Sequence, residues 1–129
     1  MKSMRCIYVA GSYRAPTSYE IQKNIERAKD LSIEVWKAGA VALCPHTNSA
    51  HFDGAVDGQV FVDGTLELMR RCDAVILVPG WNSSVGTTGE VAEALRLGKP
   101  VFYNIGELKF WLEKQEPTNE SSSLWTLSH

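Results

Sequence analysis

The chain has 129 residues, 44% hydrophobic and 22% charged, which is enough for one globular domain with a substantial core. Its formal net charge of −2 gives no sign of the strongly basic composition that is typical of proteins that bind nucleic acid or an anionic membrane. No apolar segment has the length of a signal peptide or a membrane span, and the three cysteines form no zinc or redox motif. We therefore expect a cytoplasmic protein with reduced thiols and neither nucleic-acid nor membrane partners.

Four apolar segments predict buried strands, and polar or helical segments separate them. The strand segments are 6–11, 40–44, 74–79 and 100–104. Apolar residues at helical spacing predict four helices, at 17–38, 59–71, 87–97 and 107–114. Residues 45–58 form a polar loop that is longer than a simple connection needs, which is typical of functional loops.

The ends of the first helix carry specific signals. Thr17 and Glu20 have the spacing of a capping box, in which the first side chain accepts a hydrogen bond from a free backbone N–H. Gly39 follows the last apolar position and is the residue type that favours the left-handed turn after a helix.

Strands that alternate with helices and are apolar at every position indicate a parallel sheet covered on both faces. We expect a small doubly wound α/β fold, Rossmann- or flavodoxin-like, with four to five parallel strands. The predicted domain covers residues 1–115, and residues 116–129 form a polar C-terminal tail.

Ligands of such sheets bind at the carboxyl ends of the strands. In this sequence those ends are 10–14, 45–48, 79–86 and Asn104. The polar loops all lie on one edge, which predicts a small-molecule site there.

The first of these loops carries Gly11, Ser12 and Arg14 directly after the first strand. Backbone N–H groups, a hydroxyl and a guanidinium can together hold a phosphate. The alternative is an ordinary turn with a solvated arginine. No dinucleotide or NTPase glycine motif is present.

The second loop contains the histidines and carboxylates His46, His51, Asp53 and Asp57. Their spacing matches no known metal-ligand pattern, so no metal site is predicted. His46 stands at the end of a strand and is a candidate for ligand contact, with an ordinary loop histidine as the alternative.

Residues 83–88 are small and precede a helix, and free N–H groups at a helix start favour an anion. Glu90 follows Thr87 by three residues, the capping-box relation. The local pattern favours a capping role for Glu90 and leaves a chemical role open.

Four segments together resemble the nucleoside 2-deoxyribosyltransferase superfamily, near the 2′-deoxynucleoside 5′-phosphate N-hydrolases and an uncharacterised branch of short proteins. They are IYVAGSYR (7–14), PH (45–46), LELMRRCDAVILV (66–78) and SSVGTTGEVAEALRLGKPV (83–101). The resemblance implies that Glu90 is a nucleophile toward C1′ of the sugar, with Tyr8 beside it. It also implies phosphate ligands at Ser12, Arg14, Ser84 and Gly86.

One position departs from the family pattern. Relatives carry an aspartate eight residues before Asp73, where this chain has Thr65. Asp63 lies about 200° away around a regular helix, so it does not simply substitute. Asp63 and His46 are the tentative groups for protonating the leaving base, and Glu67 matches a glutamate of the relatives without a clear role.

The resemblance implies an N-glycosidase that cleaves the base–sugar bond of a (deoxy)nucleoside 5′-monophosphate without metal or organic cofactor. The alternatives are a nucleotide-binding or sensing protein that has lost catalysis and a deoxyribosyltransferase on free nucleosides. Relatives form dimers or higher homo-oligomers, and the candidate interface residues are Trp81, Trp111 and Trp125, with a buried core position favoured for Trp111.

Overall fold

The computed structural model describes residues 3–114, so the predicted tail lies outside the described residues. The strands are β1 (Cys6–Ala10), β2 (Val41–Leu43), β3 (Ala74–Leu77) and β4 (Val101–Phe102). The helices are α1 (Ser18–Lys37), α2 (Pro45–Asn48), α3 (Gly58–Arg71), α4 (Val85–Arg96) and α5 (Ile105–Lys114), with a 3₁₀ turn at Trp81–Ser83. No helix in residues 3–114 has the length and apolar character that crossing a membrane requires.

The strands form one parallel sheet in the order β2-β1-β3-β4. β1 is central, and Tyr8 is in register with Leu43 on one side and Val75 on the other. The predicted doubly wound α/β fold is confirmed, with four strands among the described residues. The chain crosses between strands through helices, so the carboxyl ends of all four strands meet at one edge.

Alternation along β1 divides the core between the two faces of the sheet. Ile7 and Val9 pack in a cluster with residues of α1 and α5. Tyr8 and Ala10 pack in the other cluster, with residues of α3 and α4. The side chain of Tyr8 therefore points toward α3 and α4, and residues 84–90 are the N-cap and first turns of α4.

The predicted limits of α1 are confirmed. Thr17 is the N-cap and accepts a hydrogen bond from the backbone N–H of Glu20 at 3.2 Å. Gly39 follows the C-cap with φ of +92°, a conformation that glycine adopts without strain. The prediction for residues 45–58 was incomplete, because the segment begins with the single turn α2, whose first residue is Pro45.

The three cysteines are free thiols. Cys44 and Cys72 are buried, and Cys6 is half-buried. The pairing of β1 with β3 brings the sulfur atoms of Cys6 and Cys72 to 3.5 Å, a proximity that their distance in sequence did not suggest.

Candidate active site

The centre of the candidate site is a contact between Tyr8 of β1 and Glu90 of α4. The phenol of Tyr8 donates a hydrogen bond to Oε2 of Glu90. Tyr8 is 1% exposed, whereas Glu90 is half-buried and faces a cavity. The sheet fixes the phenol, and the phenol in turn orients the carboxylate.

The start of α4 corrects the capping interpretation of Glu90. Ser84 is the N-cap, and its hydroxyl accepts from the backbone N–H of Thr87 at 3.3 Å. Thr87 is already inside the helix and its side chain is buried. Glu90 therefore lies in the second turn of α4, beyond the free N–H groups, and does not cap the helix.

Burial of Glu90 has electrostatic consequences. Desolvation raises the pKa of the Glu90 carboxyl, while the hydrogen bond from Tyr8 and the charge of His46 act in the opposite direction, and the net shift is upward. Burial also raises the pKa of the Tyr8 phenol, and the Glu90 carboxylate raises it further. Tyr8 therefore remains a proton donor to a carboxylate that is poorly solvated.

His46 lies just beyond β2, in α2, and is 6% exposed. Its Nε2–H donates to the carbonyl oxygen of Ser12 at 2.9 Å, and its ring meets Tyr13 edge to face. Burial lowers the pKa of His46, but the Cys44 thiol, the Ser12 carbonyl and the charge of Glu90 raise it, and the net direction is upward. His46 thus ties the first loop to the second, and its electrostatic interaction with Glu90 lowers the pKa of that carboxyl.

A cavity of about 320 Å³ opens above the Tyr8–Glu90 pair. This volume lies within the roughly 300–1,000 Å³ of small-molecule sites. The predicted site residues that line it are Tyr8, Gly11, Arg14, His46, Ser84, Gly86 and Glu90. The structure therefore brings most of the predicted residues to one place.

The first and last loops place polar groups near the cavity mouth. Position 11 requires glycine, because a Cβ atom there would lie 2.7 Å from the buried side chain of Val78. Arg14 is exposed at the rim and shares the cavity lining with Ser84 and Gly86 at the start of α4. This combination of a guanidinium, a hydroxyl and a helix start suits an anionic group.

Two predicted residues lie outside this cavity. Ser12 directs its hydroxyl toward Ser83 Oγ and Gly80 O, both at 3.4 Å, so only its carbonyl supports the cavity wall through His46. Asp63 is exposed on α3 and accepts a hydrogen bond from Gln59 at 2.9 Å. Asp63 is not among the residues that line the cavity of Glu90, and its role in protonating the leaving base stays a prediction.

Thr65 lies on the side of α3 that faces the cavity, whereas Asp63 does not, as their separation around the helix predicts. It lines the cavity together with Tyr8, it lowers the pKa of the Tyr8 phenol, and its hydroxyl donates to the carbonyl of Val62 at 3.0 Å. The departure from the family pattern thus falls beside the Tyr8–Glu90 pair. Glu67 is exposed and pairs with Arg71 at 2.8 Å, away from the cavity.

Two cavity residues were missed as substrate contacts by the sequence analysis. Asp53 was weighed only as a metal ligand, yet it lines the cavity and accepts a hydrogen bond from the Tyr13 phenol at 3.0 Å. Tyr13 itself lies between the predicted residues Ser12 and Arg14 and also lines the cavity. Its place at the carboxyl end of β1 was the signal that could have revealed it.

No cluster of three or more His, Cys, Asp or Glu side chains suited to a metal ion occurs within residues 3–114. His46, His51 and Asp53 therefore form no such group despite their proximity in sequence. Trp111 packs on Phe102 with ring centroids 5.4 Å apart, but it is half-buried at the edge of the core rather than fully buried as favoured. Trp81 is half-buried against the core and Tyr103. Trp125 lies outside the described residues, and the homo-oligomer stays a prediction.

Residues 5–104 match the model of a domain of unknown function, DUF7768. The chain belongs to this family. No curated protein matches it.

Solved structures share the fold. A 2-deoxyribosyltransferase from the psychrotolerant bacterium Bacillus psychrosaccharolyticus is similar at 22% identity with a TM-score of 0.56, over 74% of this chain and 69% of that one. A conserved protein from Enterococcus faecalis V583 is similar at 18% identity with a TM-score of 0.54, over 77% of this chain and 62% of that one. The chain thus spans less than two thirds of the Enterococcus protein. The resemblance is supported at the level of the fold, and the placement beside the N-hydrolases stays a prediction.

Proposed function

We propose that the protein is an N-glycosidase that acts on a (deoxy)nucleoside 5′-phosphate, with Glu90 as nucleophile. The observation that carries this proposal is the Glu90 carboxylate, held by the buried Tyr8 phenol at the wall of a cavity of about 320 Å³. The fold shared with a 2-deoxyribosyltransferase supports a nucleoside as the ligand class.

The chemistry begins with the oxygen of Glu90 that Tyr8 does not hold. Tyr8 binds Oε2, so Oε1 attacks C1′ of the sugar. A C1′–O bond forms as the C1′–N bond breaks, and the bonding electron pair leaves with the base, which takes up a proton. Water then attacks C1′ as the C1′–Oε1 bond breaks, and its proton passes to the group that protonated the base. This step releases the sugar phosphate and restores the Glu90 carboxylate.

The raised pKa of Glu90 fits this role if the carboxylate is ionised at neutral pH. A poorly solvated carboxylate loses little hydration when it forms a bond to carbon. Tyr8 and His46 both favour the ionised form, which limits the rise that burial causes. His46 has Nε2 bound to Ser12, so we assign it as a positioning residue rather than as the proton donor.

Asp53 is the second carboxyl group of the cavity and the candidate to protonate the leaving base. Glycosidases of the retaining type use two carboxyl groups, one as nucleophile and one as acid. The Tyr13 phenol fixes Asp53 by donating a hydrogen bond at 3.0 Å. The 5′-phosphate then lies at Arg14, Ser84 and Gly86, on the rim of the same cavity.

A second candidate function is a nucleotide-binding protein without turnover. The observation that favours it is Thr65, which stands beside Tyr8 where relatives place a carboxylate. A third candidate function is a deoxyribosyltransferase on free nucleosides. It uses the same chemistry at Glu90, but a free nucleoside has no phosphate for Arg14 to bind.

Base release separates these functions. The protein is incubated with deoxy- and ribonucleoside monophosphates and with the free nucleosides, and free base is measured by chromatography. The N-glycosidase proposal expects base from a phosphate and none from the Glu90→Gln variant. Tight binding without base release from any compound would contradict it and favour the binding protein. Release that requires an acceptor base would favour the transferase.

A further inference from the structure

A second cavity adjoins the first at its phosphate-binding rim. It has a volume of about 760 Å³ and lies between the start of α1 and the turn before α4. Arg14, Ser84 and Gly86 line both cavities, so the two meet at these residues. A ligand whose phosphate reaches Arg14 from the first cavity can therefore extend into the second.

The charge of the second cavity differs from that of the whole chain. Its described lining residues include the cations Arg14, Lys23 and Arg27 and a single carboxylate, Glu20, although the chain carries a net charge of −2. A concave surface with an excess of one charge sign concentrates the field that attracts the opposite sign. The second cavity therefore favours a polyanion.

Few carboxylates pair with these cations, so the cations remain available to bind an anionic ligand. Lys23 is 3.7 Å from Glu26, an exposed pair that water and salt weaken. Arg27 donates to the neutral side chain of Asn24 at 3.4 Å. Among residues 3–114, no carboxylate lies within ion-pair distance of Arg14 or Arg27.

Hydroxyl groups complete the lining between these cations. Ser12 Oγ and Ser83 Oγ lie 3.4 Å apart, and both line the second cavity. Ser12 was expected to bind the phosphate of the nucleotide, yet it faces this second cavity instead. Both hydroxyls also lie within hydrogen-bond distance of the Gly80 carbonyl, at 3.4 Å for Ser12 and 2.8 Å for Ser83, so the turn holds them in the wall beside the cationic groups. The guanidinium and ammonium groups are therefore the main donors to phosphate oxygens.

We propose that the second cavity holds the β- and γ-phosphates of a nucleoside 5′-triphosphate. The substrate class is then a nucleoside polyphosphate, which deepens the proposed function and rests on it for the placement of the sugar. The α-phosphate lies at Arg14, Ser84 and Gly86, and the terminal phosphates reach Lys23 and Arg27. The reaction at C1′ leaves the triphosphate chain intact.

Binding of inorganic tripolyphosphate tests the anion site without any chemistry at Glu90. Calorimetry compares inorganic phosphate and tripolyphosphate on the full chain, on the Lys23→Ala/Arg27→Ala double variant and on Lys29→Ala. Lys29 is an exposed cation of the same helix that lies outside the cavity lining. We expect tripolyphosphate affinity to fall about tenfold in the double variant and to be unchanged in Lys29→Ala. Equal losses in both variants would overturn the proposed anion site.

Base release from nucleoside mono-, di- and triphosphates tests the substrate class. We expect kcat/KM to be highest for the triphosphate, and the triphosphate-to-monophosphate ratio to fall about tenfold in the double variant. An equal kcat/KM for mono- and triphosphate would overturn the polyphosphate proposal and leave the N-glycosidase standing. Tripolyphosphate binding that depends on Lys23 and Arg27, with no base released from any nucleotide, would support the anion site and contradict the proposed function instead.

Discussion

The phenol of Tyr8 donates a hydrogen bond to Glu90 although 82 positions of sequence separate the two residues. The central strand fixes one partner and the second turn of α4 presents the other. Burial raises the pKa of Glu90, and the phenol moderates that rise. The contact therefore links the packing of the sheet to the ionisation of the proposed nucleophile.

Removing the phenol by Tyr8→Phe is expected to move the acidic limb of the kcat/KM profile to higher pH. The hydrogen bond from Tyr8 lowers the pKa of Glu90, so its loss lets that pKa rise further. Each unit of such a rise costs about tenfold in activity below the limb. The measurement is base release as a function of pH. Tyr103→Phe, which removes an exposed phenol outside the cavity, is the matched control, and an identical acidic limb in Tyr8→Phe would count against the role of Tyr8.

The Glu90→Gln variant is expected to be more stable than the natural chain near neutral pH. Since burial raises the folded-state pKa of Glu90 above that of a solvated glutamate, the folded chain loses stability as pH rises through that folded pKa. Glutamine has no charge to desolvate, so its Tm exceeds that of the natural chain at about pH 7.5, and the difference disappears below about pH 4.

Thermal unfolding followed by circular dichroism across pH measures this effect. Glu93→Gln on the same helix is the control, because the hydrogen bond with Arg96 lowers the pKa of the Glu93 carboxyl instead. A Glu90→Gln variant less stable than the natural chain at every pH would show that ionisation of Glu90 carries no cost in the fold.

Asp53→Asn is expected to lower kcat by about 10²-fold, which is the low end of the contribution of a general acid. Asparagine keeps the shape of the side chain and an oxygen that accepts the hydrogen bond from Tyr13, but it has no acidic proton to give. Asp63→Asn is the comparison, since Asp63 is an exposed carboxylate outside the cavity. Equal activity of the two variants would remove Asp53 from the mechanism.

Thr65→Asp is expected to raise kcat by about 10-fold to 10²-fold. The new carboxyl would stand beside Tyr8 and close to Glu90, and two carboxyl groups at one site push one pKa upward, which favours a protonated acid. Thr65→Asn has the same size without the charge and serves as the control. An unchanged kcat in Thr65→Asp would show that the missing carboxylate does not limit turnover.

Hydrophobic pattern and topology made much of the site predictable. The apolar strand segments specified a parallel sheet, and a parallel sheet brings loops that are distant in sequence to one edge. That reasoning placed Arg14 and His46 at one edge of the sheet, and the family resemblance added Tyr8 and Glu90; the structure has all four around one cavity. The helical angle between Asp63 and Thr65 was also sufficient to put them on different sides of α3.

The N-cap of α4, the position of Asp53 and the orientation of Ser12 could not be predicted, because they depend on contacts that the local sequence does not contain. The capping-box spacing of Thr87 and Glu90 predicted Thr87 as the N-cap, but Ser84 is the N-cap and accepts from the backbone N–H of Thr87. Asp53 reaches the cavity only because the irregular loop before α3 folds against Tyr13, and no periodicity describes such a loop. Ser12 lies just after the end of β1, as expected, but its contact with Ser83 in the turn at 81–83 directs its hydroxyl to the second cavity.

Covalent attachment of the sugar to Glu90 is the most direct measurement of the proposed nucleophile. The protein is quenched with acid during turnover of a (deoxy)nucleoside 5′-phosphate, digested, and analysed by mass spectrometry. We expect the peptide that contains Glu90 to carry the added mass of the sugar phosphate, and the Glu90→Gln variant to give neither adduct nor free base. Base release by Glu90→Gln at the rate of the natural chain, or an adduct on another residue, would contradict the assignment of Glu90.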